Sequence, residues 1–176
     1  MAANLNTNGV QRNGLRIAVW GMAAAVWLLP VIAMRFTREV NWGPVDFLVW
    51  AVMLGTAAGL YELGTRMSAN IAYRAGFALA VLTGFFITWS NLAVGIIGNE
   101  NNPLNLIFFA ILALGFVGAL IARFQAVGMA RTLTVVAIVQ GATVLLGLYA
   151  DSLRVAVILS IFTAMWLFSA HLFRKA

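Results

Sequence analysis

Six apolar stretches run through this chain with only short polar breaks between them, each close to the ~20 residues that a helix needs to cross a bilayer. Their approximate bounds are 16–34, 44–63, 71–98, 103–123, 130–149 and 153–173. None shows the sustained alternation of a barrel strand. Helices are therefore the expected spanning elements, because each satisfies its own backbone where no water is present. Only 9% of the 176 residues are charged, against about 25% in a soluble domain. The fold class is all-α: an integral membrane bundle of six transmembrane helices.

Residues 1–15 are polar and carry Asn4, Asn6, Asn8 and Asn13, so a short mobile tail is expected before a single domain over 16–176. Arg12 and Arg16 ahead of an apolar run imitate a signal peptide. The run is long, however, and reaches Arg35 without a small-residue cleavage site, which reads as a retained span. Pro44 and Pro103 stand where helices begin. Asn102 is a natural N-cap before Pro103, and Pro30 predicts a kink in the first span.

The basic residues sit at the span ends rather than in a patch that tracks phosphates, so no nucleic-acid partner is expected. Eight of them fall on one side (Arg12, Arg16, Arg66, Arg74, Arg123, Arg131, Arg174, Lys175) and three on the other (Arg35, Arg38, Arg154). That bias places both termini in the cytoplasm. A shift of half the chain aligns Gly59-Leu60-Tyr61 with Gly147-Leu148-Tyr149 and Arg66 with Arg154. This is a weak sign of an inverted repeat of three spans each; identity across the whole shift is near chance.

Asn91 to Pro103 is the most unusual segment. At helical spacing Gly84, Thr88, Asn91, Gly95 and Gly98 share a face of the third span. The favoured reading is close helix packing with Asn91 bonding across it. The alternative is a polar outer site formed by Asn91, Asn99, Glu100 and Asn102, with Asp46 nearby. Asp46 stands in the first turn of the second span, where a carboxylate complements the helix N-terminus. The other reading joins it with Glu100 and Asp151 in an outer cation site. Glu62 is the lone inner carboxylate: an ion pair with Arg66 is favoured over a proton-carrying role. Gln140 is the one strongly polar side chain near the middle of the fifth span, a candidate for an inter-helix bond or a site. Gly55 and Gly59 form a G-x-x-x-G packing pair.

There is no cysteine and one histidine, His171, at the end of the last span. A metal site or a haem held within one chain is not expected, nor is any other cofactor. The sequence holds no phosphate-binding glycine loop and no serine with a histidine base beside it, so an enzyme is not expected.

The segments around Arg35-Phe36-Thr37, Tyr61-Glu62-Leu63, Ala122-Arg123-Phe124 and Gly128-Met129-Ala130-Arg131, with the AVGIIG-x-E-x-NP run of Ala93 to Pro103, resemble a family of small bacterial polytopic membrane proteins. The resemblance implies a bacterial inner membrane location and assigns no activity. Three functions are expected in order of preference. The first is a non-catalytic membrane component (subunit, helper or stress-related) whose partners are the lipid bilayer and a second copy or another membrane protein. The second is a small transporter or channel. The third is a lipid or quinone binder, suggested by deep Trp residues and by Arg35, Arg38 and Arg154.

Overall fold

A computed structural model describes residues 2–150 and 152–176, the side chains of 2–13 and 15 excepted. Six helices form: α1 (Ala2–Phe36), α2 (Pro44–Met67), α3 (Ile71–Ala93), α4 (Leu106–Ile121), α5 (Ala126–Ala150) and α6 (Leu153–Arg174), with one 3-10 turn at Pro103–Asn105 before α4. All six are long and apolar enough to cross a membrane once the turn is counted with α4. The expected all-α fold, with six helices long and apolar enough to span a membrane, is therefore observed among the described residues.

Two expected boundaries move. The polar segment expected as a tail is helical from Ala2, while the apolar part of α1 still begins at Arg16. A helix already nucleated at its apolar part adds residues at little further cost, and nothing before Arg16 is a proline. The third span ends at Ala93 rather than Gly98. Gly95 and Gly98 have φ of +72° and +71°, the left-handed region, so both turn the chain instead of extending the α3 packing face. Pro30 lies inside α1, which continues past it to Phe36.

The chain divides into two compact units, residues 1–62 and 63–176. The first unit holds α1 and most of α2 and the second the end of α2 with α3 to α6, so the division does not fall midway, where the weak repeat would divide the chain.

In the first unit, α1 and α2 form an antiparallel pair. Near one end the Trp27 indole donates to Phe47 O (3.2 Å) and the Trp50 indole to Val26 O (3.3 Å). Trp27 and Trp42 both pack on Phe47, and Trp42 meets Trp50 edge-on. Toward the other end Arg16 Nε lies 3.1 Å from Glu62 Oε1, and the Trp20 indole donates to Glu62 Oε2 (2.9 Å). The Gly55–Gly59 pair brings no other helix close: a Cβ at either position would meet nothing within 4 Å. Its expected packing role within the chain is not observed.

In the second unit, α3 to α6 run alternately up and down and close into a ring. The α5–α6 hairpin makes its most extensive contact, and α6 then packs back on α3. Small residues set these approaches, as expected where lipid supplies no hydrophobic drive between helices. A Cβ at Gly76 would meet Phe173 at 3.1 Å, and the Ser169 hydroxyl donates to Gly76 O at 2.6 Å. A Cβ at Gly147 would meet Leu159 at 2.9 Å, and one at Gly118 would overlap Thr132. Gly84 does serve packing as expected, against Leu112 and Trp166. Ile87, Phe108, Val136 and Leu159 are wholly buried between the four helices.

Polar groups at the helix ends are matched. Asn70 caps α3 by accepting from Ala72 and Tyr73 N–H, and Arg74 donates to Thr65 O and Ser68 O at the end of α2. Arg123 and Phe124 both adopt positive φ in the α4–α5 turn. There the Tyr73 hydroxyl donates to Phe124 O at 2.7 Å.

Candidate functional site

The rim between α3 and α4 is built from five asparagines (Asn91, Asn99, Asn101, Asn102 and Asn105), two glycines and a proline. α3 stops where Gly95 enters the left-handed region, and a second such glycine, Gly98, redirects the chain. A Cβ at Gly95 would overlap the Asn99 backbone, so glycine is required there. Between the two glycines, Ile96 and Ile97 turn inward and are buried. Their burial takes backbone groups away from water, and such groups need partners.

Asn105 supplies them. Its Oδ1 accepts from Ile97 N–H (2.9 Å), and its Nδ2 donates to Ile97 O (3.2 Å) and Asn99 O (2.7 Å). Asn91, from the last turns of α3, donates through Nδ2 to Asn105 O at 3.0 Å. Asn102 caps the 3-10 turn as expected, its Oδ1 accepting from Leu104 N–H. Asn99 Oδ1 accepts from Asn101 N–H. Two buried amides thus bolt the loop to the end of α3.

Next to this knot lies a half-open pocket of about 130 Å³ lined by Asn91, Leu92, Glu100, Asn102, Asn105, Leu106 and Phe109. Glu100 is exposed on its edge and has no ion pair among the described residues. Asn91 Oδ1 is buried and has no hydrogen-bond partner. Comparison with known proteins finds no matching family model, no matching curated protein and no matching solved structure.

The structure brings Asn91, Glu100 and Asn102 together on one pocket and places Asn99 in the adjoining turn. Asp46 belongs to the first unit, where it stands in the first turn of α2 and its Oδ2 accepts from Gly43 N–H (2.8 Å), at the helix N-terminus that a carboxylate complements. Asp151, its other suggested partner, lies outside the described residues. Glu62 has an ion-pair partner the sequence did not suggest, Arg16. Gln140 is fully buried; its Nε2 donates to Thr143 Oγ1 (3.1 Å), while its Oε1 is unpartnered. No group of three or more His, Cys, Asp or Glu residues placed to hold a metal occurs among the described residues.

Sequence reasoning missed Asn105, the hub of the rim, and the pocket walls Leu92, Leu106 and Phe109. Asn105 did leave a signal: it is a polar residue standing just inside the very apolar fourth span, opposite Asn91 across the break.

Proposed function

We propose that this chain is a non-catalytic component of a bacterial inner membrane, with both termini cytoplasmic, and that the α3–α4 rim is the surface through which it acts. On this reading it is a member of the family of small polytopic proteins that its AVGIIG-x-E-x-NP segment resembles. One observation carries the proposal: among the described residues the buried polar ones, Thr83, Asn91, Asn105, Gln140, Thr143 and Ser169, are all neutral. Proton relays, ion paths and general acid–base centres draw on ionisable groups inside the bundle.

The small-polar face of α3, the alternative lining for a conduit, supports the same reading. Thr88 donates to the carbonyl of Gly84 in its own helix, at 2.8 Å. Gly84 is covered by Leu112 and Trp166. Asn91, Glu100, Asn102 and Asn105 at the rim line a small pocket.

Purified protein in liposomes tests the proposal. No flux of monovalent cations, protons or small amines above protein-free vesicles is the expected result. Flux abolished by Glu100→Ala in a protein that still folds would overturn it.

A further inference from the structure

The rim pocket offers a ligand one carboxylate and few other polar groups, most of its amide atoms being engaged. The amide nitrogens of Asn91 and Asn105 donate to backbone carbonyls. Asn102 Oδ1 and Asn105 Oδ1 accept backbone N–H groups. Beside the Asn102 amide nitrogen, a donor, two acceptors remain. Asn91 Oδ1 is unpartnered on a residue 4% exposed, and the Glu100 carboxylate is unpaired among the described residues. The assignment of oxygen and nitrogen on Asn91 is fixed by its bond to a carbonyl, which only the nitrogen can make.

Size and wall chemistry narrow the ligand. A volume of about 130 Å³ approaches the ~150 Å³ cavity that holds a benzene ring and is several times the ~30 Å³ share of one water. One water would satisfy Asn91 Oδ1 and leave most of the space empty. Calcium takes 6–8 oxygen ligands, and the pocket offers one carboxylate and one free amide oxygen. An anion meets no positive charge among the residues lining the pocket. Leu92, Leu106 and Phe109 are apolar and largely open, at 49%, 66% and 38% exposure. They suit a ligand with hydrocarbon beside its charge, and the aromatic face of Phe109 attracts a cation.

We propose that this pocket binds a primary ammonium group carried on an apolar body. One N–H is donated to Asn91 Oδ1, and the charge is paired with Glu100. Two sources share that chemistry: the ethanolamine headgroup of a membrane lipid, its chains lying along Leu106 and Phe109, and a free amine solute. The proposal deepens the reading above, resting on it only in taking the rim as the working surface.

The test uses the full chain in non-ionic detergent, with retained ligand read by native mass spectrometry and stability by thermal shift. The probes are dioleoyl-phosphatidylethanolamine, dioleoyl-phosphatidylcholine and free ethanolamine. The ethanolamine lipid is expected to be retained and to raise the melting temperature. The choline lipid, whose trimethylammonium has no N–H, is expected to bind roughly tenfold more weakly, and Glu100→Gln to weaken the ethanolamine lipid by about the same factor. Leu106→Trp fills the pocket without touching the asparagine network and is expected to abolish retention.

Free ethanolamine stabilising the protein as well as the lipid does would assign the solute source and keep the ammonium. Equal retention of both lipids, or retention undiminished in both variants, would overturn the proposal. Stabilisation by potassium or magnesium ions and by neither amine would overturn it in favour of a metal cation. Reconstitution separates the two readings. Amine binding with amine flux overturns the non-transport function and leaves the site standing; neither binding nor flux does the reverse.

Discussion

Asn105 shows how much a single side chain can hold in this chain. It serves both backbone groups of buried Ile97 and reaches Asn99 as well. Leaving a buried polar group unpaired costs about 1–3 kcal/mol. Asn105→Ala is therefore expected to lower stability by at least ~2 kcal/mol, read as a fall in melting temperature in detergent. An unchanged melting temperature would show that the loop does not depend on this amide. Gly95 makes a second, independent case. Ala there must hold φ near +72° and displace the Asn99 backbone, so Gly95→Ala is expected to cost more than the ~1–2 kcal/mol of a left-handed residue alone. Glycine's freedom at this position was not legible in the sequence. Gly84, Gly95 and Gly98 do fit one helical stripe, and only the end of α3 at Ala93 separates the first from the other two. The polar cluster was legible, because asparagines and an acid between two apolar runs have few places to go except a membrane rim.

Helix pairing in a membrane is decided by which small residues meet, and the sequence cannot rank them. Gly55 and Gly59 have the familiar spacing yet face open space in this chain. Gly76, Gly118 and Gly147, unremarked by motif, set the close approaches of α3 to α6, α4 to α5 and α5 to α6. A signal did exist for the first of these. Ala72, Gly76, Ala80 and Gly84 repeat small residues every four positions along α3. The contrast yields a paired prediction. Gly147→Val drives its side chain into Leu159 and Val155 and is expected to destabilise by about 1–3 kcal/mol through overpacking. Gly59→Ala is expected to leave the melting temperature of the monomer unchanged or slightly raised, since alanine is the better helix former. Comparing both variants by thermal unfolding checks the assignment; a large loss at Gly59 would mean that a second copy packs there.

The six spans were legible because composition and length alone require them, whereas the division into two helices and four was not. Nothing in hydropathy tells which apolar helix chooses which neighbour. The side on which each loop lies rests on the arginine and lysine count, and the cysteine-free sequence permits a clean test. Asn101→Cys is expected to react with a membrane-impermeant maleimide on intact cells, and Lys175→Cys only after permeabilisation. The opposite pattern would invert the topology. The closed ring of α3 to α6 also bears on biogenesis. α3 is inserted early, but the partner for its Gly76 surface is α6. Until α6 is inserted, α3 and α5 lack that partner and the Gly76 carbonyl has no Ser169 hydroxyl to accept from. The four-helix ring therefore cannot close before its last helix is in place, and a chain cut short ahead of α6 leaves the small-residue face of α3 without the surface it packs on.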